Sequence, residues 1–407
     1  MIRVNNIHLS LDYDDKSVRK AVAQQLRIEE KSIKSCKIFR RSVDARKKDN
    51  IYFLTTVDAE LNINEDKVCK KCGNAQIARK YEYNQMKFGN APSPIVVGAG
   101  PAGLFAALIL ARSGANPILI ERGRDVDRRT ADVNRFWTSG KLDITSNVQF
   151  GEGGAGTFSD GKLNSGTKDI RQRKVLEEFV SHGAPDEILY NAKPHIGTDM
   201  LKGTIKNIRN EIIELGGRVM FETKLVSMAF SDNKLKSITV ETANGDEIIE
   251  TDNVILAIGH SARDTFEMLY DLKLPIEAKP FSVGARIEHL RQKVDKAQYG
   301  RFAGNKKLGS ANYKLSTHLD NGRGVYTFCM CPGGKVVNAS SEKNRLCTNG
   351  MSEFARNADN SNSALLVGIN PDDYESDHPL AGMYLQRKLE SKAFVAGGEN
   401  YNAPIQR

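Results

Sequence analysis

The sequence predicts an α/β protein in which a Rossmann-like domain with a β-meander is joined to a small N-terminal α+β domain and a mixed, strand-rich cap domain. A short apolar run at 95–97 ends in a glycine-rich turn, which a helical pattern and a second apolar run follow. Three strand-like runs separated by polar turns lie between 218 and 251, and from 274 onward strand-like runs again alternate with polar turns. A strand–helix–strand order predicts a parallel sheet, whereas consecutive strands predict antiparallel pairing.

Changes of composition along the chain suggest three domains, and 407 residues are enough for two or three. We expect an N-terminal α+β domain with its connector at 1–92, the Rossmann-like domain with its meander at 93–274, and the cap domain at 275–407. In the first of these, the patterns predict, in order, a strand at 2–11, a helix at 15–26, strands at 33–40 and 51–57, and a polar connector at 61–93.

The chain is basic, with a formal net charge of +9 from 59 Lys and Arg against 50 Asp and Glu. Such a balance attracts nucleic acid or an acidic surface. The charges are spread along the chain, however, which favours a solvated surface over a nucleic-acid partner. A basic turn at 40–48 could touch a phosphate-bearing partner, but a solvated hairpin loop is the favoured interpretation.

Apolar runs and cysteines indicate the compartment. No apolar run approaches the roughly 20 residues that span a bilayer, and the N-terminus lacks the apolar core of a signal peptide. We therefore expect a cytoplasmic protein with no membrane partner, whose six cysteines are reduced. Cys69 and Cys72 could form half a zinc site or a redox pair, but further ligands and the usual strand–helix context are missing nearby, so incidental thiols and no metal site are expected.

The glycine-rich turn carries a dinucleotide-binding fingerprint, Gly98-Ala99-Gly100-Pro101-Ala102-Gly103. Gly98 allows a sharp turn from strand to helix, Gly100 has no Cβ and lets a pyrophosphate approach the backbone, and Gly103 allows close helix–strand packing. The first N–H groups of the helix and the positive end of its dipole then face the phosphates. The alternative is a glycine-rich turn that binds nothing.

An acid and then a basic segment follow the second apolar run. Glu121 stands where a carboxylate can accept hydrogen bonds from the two hydroxyls of a ribose. Its charge would repel a 2′-phosphate, so an NADP-type ligand is disfavoured. Arg122 and Arg129 bracket a basic helix start, which suits a ligand with two phosphates; a charged helix face is the alternative.

A second glycine-rich stretch covers 151–162. Glycines between apolar flanks suit backbone that lies flat against a planar or phosphate-bearing ligand, and polar side chains add hydrogen-bond donors. A flexible surface loop is the alternative. The candidate ligand-facing residues here are Gly153, Gly154, Thr157, Ser159, Gly161 and Lys162.

Further elements follow from periodicity. We predict helices at 170–180 and 204–215, meander strands at 218–230, 236–242 and 247–251, and a buried strand at 253–260 that includes Ala257 and Gly259. The cap domain is predicted to contain strands at 281–287, 325–334, 336–339 and 364–369.

Taken in order, these features resemble the FAD domain of two-dinucleotide-binding flavoproteins. More closely, the chain resembles a bacterial family of FAD-utilising dehydrogenases, most of them of unknown substrate. The resemblance runs nearly end to end, through the segments 95–103, 151–162, 193–198, 257–263, 329–342 and 397–406.

The resemblance implies that FAD rather than NAD is the bound ligand. It implies that the fingerprint glycines, with Ala99, Pro101 and Ala102 between them, hold the pyrophosphate and that Glu121 holds the adenosine ribose. It implies that Val226 lies near the adenine, that Ala257 and Gly259 lie beside the nucleotide, and that the 151–162 loop approaches the flavin half.

One feature of such flavoproteins has no counterpart here. They end with another glycine-rich strand–helix segment over the pyrophosphate and ribitol, and nothing after 397–401 matches it. The chain therefore resembles a C-terminally truncated member. We expect the shortened chain to bind FAD weakly or to form no stable complex with it. One flavin per chain in the purified protein would contradict this.

Catalytic residues are not identified by the sequence. Cys331, before a Pro-Gly-Gly turn, is a weak candidate for a thiol facing the flavin, and a packed strand-end thiol is favoured. His195 and His260 follow turns at candidate ligand-facing places, where structural hydrogen bonds are favoured over catalysis. Arg286, inside an apolar strand, needs a partner or a ligand anion.

Two functions remain open. The first is an FAD-dependent oxidoreductase, a dehydrogenase of an unknown small organic substrate, with NAD(P)H as one possible electron donor. The second is a nucleotide-binding protein without turnover, for example an inactive truncated flavoprotein or an RNA-associated relative.

Overall fold

The computed structural model of the chain describes residues 1–79, 81–87, 93–167 and 169–406. Residue 92, the predicted end of the first domain, lies outside these ranges. No helix in them is both long and apolar enough to cross a membrane. The same ranges hold no group of three or more His, Cys, Asp or Glu residues placed to bind a metal ion.

The N-terminal part is an antiparallel sheet packed against helices. Its elements are β1 (Ile2–Leu9), α1 (Asp15–Leu26), β2 (Ile33–Asp44), β3 (Tyr52–Leu61), α2 (Glu65–Lys71) and β4 (Ala75–Ile77). The strand order is β2-β3-β1-β4. Helix α1 begins where the Asp14 side chain accepts a hydrogen bond from the Ser17 N–H. The predicted connector at 61–93 is wrong in its first half, because α2 places Val68 in the core and β4 pairs with β1.

A parallel sheet with helices positions the fingerprint. Its elements are β5 (Ile95–Val97), α3 (Pro101–Arg112), β6 (Ile118–Ile120), α4 (Val126–Ser139), α5 (Arg171–Ser181), α6 (Thr198–Glu214), β7 (Arg218–Met220) and β11 (Val254–Leu256). The strand order is β11-β5-β6-β7, with all three pairs parallel. Apolar residues of α3 and α6 pack together beside the buried strands β5 and β6. This is the predicted α/β Rossmann-like fold.

The predicted meander is present, but its first strand differs from the prediction. The three strands are β8 (Lys224–Ser231), β9 (Lys234–Thr242) and β10 (Gly245–Glu250), with β9 central. The run predicted as one strand at 218–230 is two strands, because the chain turns at 221–223 and β7 joins the parallel sheet instead. Helix α7 (Arg263–Asp271) contributes Leu269 to the core under the meander.

The C-terminal part contains two antiparallel sheets and two helices. Its elements are β12 (Phe281–Leu290), α8 (Arg291–Tyr299), β13 (Ser316–His318), β14 (Gly324–Cys331), β15 (Lys335–Asn338), β16 (Thr348–Met351), β17 (Asn360–Ile369) and α9 (Ala381–Ala396). The larger sheet has the order β12-β17-β14-β13, and β15 pairs with β16. The sequence predicted four of these strands and missed β13, β16, α8 and α9.

The prediction of a buried strand at 253–260 is confirmed only in part, because β11 is a strand over Val254–Leu256 but is shorter than predicted and is not buried. Strand β11 pairs with β5 on one side and is an edge strand within the described ranges. Ile255 and Leu256 are 40% and 38% exposed, because no further strand of the described chain covers them.

Candidate functional site

The turn between β5 and α3 is built on two close approaches. Gly98 has φ +101°, and a Cβ there would lie 2.5 Å from the carbonyl oxygen of Ala257. A Cβ on Gly103 would overlap the carbonyl oxygen of Gly98. Glycine is therefore required at both positions, so that β5, β11 and the first turn of α3 can pack closely. These are the first and third glycines of the fingerprint.

The N-terminus of α3 is free of side-chain caps. Gly100 is the N-cap residue, makes no side-chain cap hydrogen bond, and is followed by Pro101 at the first helical position. Gly100, Pro101 and Ala102 all line a cavity of about 660 Å³. The first N–H groups of a helix and its dipole attract an anion, so this end of the cavity suits a phosphate.

The cavity lies at the carboxyl ends of the parallel strands. Its walls are contributed by the ends of β5, β6 and β11, by the loop at 154–156, by the start of β8 and by α7. Its volume falls within the range of cofactor pockets in proteins. In open α/β sheets ligands bind at this edge.

The Glu121 carboxylate accepts hydrogen bonds from three backbone segments around the turn, and the residue is only 6% exposed. Its Oε2 accepts a hydrogen bond from the Ala99 N–H at 2.8 Å, and its Oε1 accepts from the Gly123 and Gly151 N–H groups at 2.9 and 3.0 Å. The residue also lines the cavity. A carboxylate has about four acceptor positions. Three are used by backbone donors, which leaves one for a hydroxyl of a ligand.

Arg122 lines the same cavity and is held in place by α7. Its Nη2 donates to Asp264 Oδ1 at 2.8 Å and to Thr265 Oγ1 at 3.0 Å, and its guanidinium lies over the Phe150 ring. Lys224 pairs with the same aspartate at 2.8 Å. Burial alone would raise the pKa of Asp264, but Arg122 and Lys224 lower it to about 2.

The interactions of Asp264 with Arg122 and Lys224 should make the free energy of unfolding depend on pH. Because the pKa of Asp264 falls from 3.8 to about 2 on folding, the unfolded chain binds its proton first. The resulting stabilisation is present above pH 3.8 and is lost as the pH falls towards 2. The slope of unfolding free energy against pH reports how many more protons the unfolded chain binds than the folded chain. We expect Asp264→Asn to lower this number by up to about one between these pH values. Urea denaturation at several pH values measures this, and an unchanged slope would contradict it.

Arg129 lies behind the cavity and does not line it. Its side chain is fully buried and donates to the backbone carbonyl oxygens of Asn147, Val148, Gly151 and Glu152. Burial lowers the pKa of Arg129 to about 10. The residue predicted to attract phosphates therefore organises the glycine-rich loop from behind.

The first half of the 151–162 loop lies against the fingerprint. The Gly153 N–H donates to the Ala99 carbonyl oxygen at 2.8 Å. A Cβ on Gly154 would be 3.0 Å from Gly100 Cα. The residues at 154–156 line the cavity, whereas Gly153 and the fully buried Thr157 lie behind it.

The second half of the loop turns towards the larger C-terminal sheet. Gly161 has φ +64° and packs on Gly197, and Lys162 Nζ lies 3.0 Å from Asp160 and 3.6 Å from Cys331 Sγ. Neither Gly161 nor Lys162 lines the cavity. Cys331 is fully buried, and this burial raises the pKa of its thiol.

The far wall contains two further predicted residues, Ala257 and Gly259. Val226 does not line the cavity, whereas its neighbours Lys224 and Leu225 do. His260 lines it as well, with a pKa lowered chiefly by burial. His195 is outside it, and its Nε2 lies 2.9 Å from the Phe354 carbonyl oxygen.

Sequence reasoning missed part of the lining. The additional residues with polar or aromatic side chains are Gln149, Phe150, Thr223, Lys224, Ser261, Thr265 and Phe266. Two of them, Thr265 and Phe266, lie on α7, a helix that was not predicted from the sequence. The apolar spacing of Phe266 and Leu269 within Arg263–Asp271 was the available signal.

Fold and site together define a dinucleotide-binding protein of the Rossmann type, with an uncapped helix end for the pyrophosphate and a buried acid beside it. Comparison with known families specifies the dinucleotide. Residues 93–132 match an FAD binding domain, and residues 280–407 match the C-terminal domain-like region of an FAD-dependent protein. Residues 1–60 match a domain of unknown function.

One relative covers the whole chain. An uncharacterised protein of Clostridium beijerinckii is 48% identical over 411 residues, which span 100% of this chain and 76% of that protein. The chain belongs to the same family, a family of FAD-dependent proteins. FAD is its cofactor, and its class is that of FAD-dependent oxidoreductases.

Solved structures are similar only at a low level. An anhydrotetracycline hydroxylase from Streptomyces rimosus is 14% identical, with 74% of this chain and 49% of that chain covered and a TM-score of 0.31. A flavin-dependent brominase is 13% identical, with 76% and 62% covered and a TM-score of 0.36. Likeness of this size does not specify a reaction. That the protein is a dehydrogenase, and that the chain is C-terminally truncated, stay predictions.

Proposed function

We propose that this protein is an FAD-dependent dehydrogenase that acts on a small organic molecule. The observation that carries the proposal is the cavity at the N-terminus of α3, where an uncapped helix end and Glu121 face one space. The donor and acceptor groups of the cavity fit the cofactor. N–H groups and a helix dipole suit a pyrophosphate, and the remaining acceptor position of Glu121 suits a ribose hydroxyl.

Different residues would hold the phosphate and adenine parts of the cofactor. Backbone at Gly100–Ala102 would bind the diphosphate, and Arg122 adds a positive charge at the same cavity. Leu225 and Leu269 offer apolar surface suited to the adenine. Bound there, FAD supplies a centre that accepts or donates a hydride.

The chain's own part in the reaction would be positioning and exclusion of water. The loop at 154–156 is fixed between Gly100 and the buried Arg129 scaffold, so it presents a rigid backbone wall to the cavity. His260 lies on the far wall, where loss of hydration and then the nearby Arg263 hold its pKa below its ordinary value.

A reoxidation experiment tests the dehydrogenase assignment. The full chain, loaded with FAD and reduced without oxygen by NADH, NADPH or dithionite, is mixed with either dissolved oxygen or a quinone-type electron acceptor. We expect fast reoxidation by the quinone and slow reoxidation by oxygen. Fast reaction with oxygen, with its incorporation into a product, would contradict a dehydrogenase and indicate a monooxygenase.

A further inference from the structure

Arg286 is a half-buried cation without a carboxylate partner in the described ranges. Its Nη2 donates to Asn362 Oδ1 at 2.6 Å and to the Cys329 carbonyl oxygen at 3.0 Å, and its Nε donates to the same Asn362 oxygen. Both partners are neutral. A guanidinium that is partly removed from water and has only neutral partners retains its capacity to bind an anion.

More positive charge lies close by. Lys162 Nζ and Arg286 Nη2 are 3.6 and 3.9 Å from the same sulfur, Cys331 Sγ. Asp160 pairs with Lys162 and also with Arg356. Lys162 and Arg356 thus share one carboxylate, whereas Arg286 pairs with none in the described ranges. Burial raises the pKa of the Cys331 thiol, which lies between Lys162 and Arg286. The cluster has an excess of positive charge.

Asn362 gives an independent indication of a missing ligand atom. It is fully buried, its Oδ1 is occupied by Arg286, and its Nδ2 has no hydrogen-bond partner. An unsatisfied buried donor is costly, and an oxygen of a ligand would remove that cost. Gly350 lies beside it, where a Cβ would overlap Arg286 and Asn362. Glycine at 350 therefore allows the Arg286 and Asn362 side chains to pack directly against the backbone of β16.

The same side of the sheet offers an apolar surface. Arg286, Ala364 and Phe328 are in register across β12, β17 and β14, so their side chains lie on one face. Phe328 is 57% exposed, which is unusual for a large aromatic residue on a central strand. We call Arg286, Asn362, Ala364 and Phe328 the open sheet face.

One loop connects this face to the cofactor cavity. The 151–162 loop lines the cavity at 154–156 and delivers Lys162 to Cys331, which is in register with Asn362 on β17. The loop thus runs from the cofactor cavity to the open sheet face.

We propose that the open sheet face, with Lys162, binds an organic substrate that carries a carboxylate. Arg286 and Lys162 bind the carboxylate, Asn362 positions the guanidinium and donates its free amide hydrogen, and Phe328 contacts the apolar part. This inference rests on the proposed function, because it names the substrate class of that enzyme.

Calorimetric titration with matched probes tests it. The FAD-loaded full chain is titrated with benzoate, with the neutral analogue benzamide and with inorganic phosphate. Charge-assisted hydrogen bonds predict that benzoate binds at least about tenfold more tightly than benzamide. Tighter binding of phosphate than of benzoate would show a general anion site and overturn the assignment to organic carboxylates.

Variants locate the site. Arg286→Met is expected to weaken benzoate at least about tenfold, and Phe328→Ala about threefold or more through lost apolar contact. Because Phe328 is exposed, the second variant tests the site even where the first is destabilised. Arg218→Met, an exposed arginine of β7 in another sheet, is the matched control and should bind benzoate as the wild type does. Unchanged binding in both Arg286→Met and Phe328→Ala would overturn the inference.

The bound FAD measured in the same samples separates the two proposals. Bound FAD with no preference for benzoate over benzamide would refute the carboxylate site alone. Carboxylate binding that depends on Arg286 in a chain that takes up no FAD would support the anion site and refute the proposed function.

Discussion

Gly100→Val should lower the affinity for FAD by at least about 100-fold, because its side chain would occupy the space that the pyrophosphate needs and break two or more charge-assisted hydrogen bonds of about 1.5–3 kcal/mol each. Gly100 is the N-cap of α3 and lines the cavity. The measurement is fluorescence titration of flavin-free protein with FAD.

The substitution should leave the fold intact. Gly100 has an ordinary φ of −71°, and the nearest atom to an added Cβ is 3.9 Å away. Gly203→Val is the matched control, since Gly203 lies in α6, has no atom within 4 Å of an added Cβ and does not line the cavity. Equal FAD affinity in both variants would show that the helix end does not hold the pyrophosphate.

Glu121→Gln should lower the free energy of unfolding of the flavin-free chain by about 2–4 kcal/mol, because buried donors would lose their acceptor. Both carboxylate oxygens accept backbone N–H groups, so an amide NH₂ in either position would face another donor. The same change removes the acceptor proposed for the ribose, so FAD affinity should also fall. Urea denaturation and FAD titration measure the two effects.

Glu222→Gln is the control for removing a charge in the same region. Glu222 is paired with Arg124 and Arg128 at the surface, where such pairs contribute at most about 1 kcal/mol. We expect its unfolding free energy to stay within about 1 kcal/mol of the wild type. A Glu121→Gln variant as stable as Glu222→Gln would mean that Glu121 does not organise the turn.

Local signals predicted the part of the site that local sequence builds. Gly98, Gly103 and Glu121 lie within one strand–helix–strand unit, and each has a backbone reason for its identity. The α/β class followed from the same unit. Helix α1 was predicted with both ends, because its cap and periodicity are encoded within Asp14–Leu26.

Residues whose roles depend on distant contacts were not predictable. Arg129 is a cationic residue that could bind phosphate, but the fold encloses it among four backbone carbonyl oxygens between residues 147 and 152. Strand β7 was merged with β8, because only pairing with β6 distinguishes the two. Strand β11 has the apolar sequence of a buried strand and is nevertheless an edge of the sheet.

Titration of the flavin-free full chain with FAD, with and without ADP as a competitor, tests the central claim most directly. We expect saturable binding of one FAD per chain, and competition by ADP for the cavity at the N-terminus of α3. Absence of saturable binding, or FAD binding that ADP does not displace, would contradict the assignment of this cavity to the cofactor.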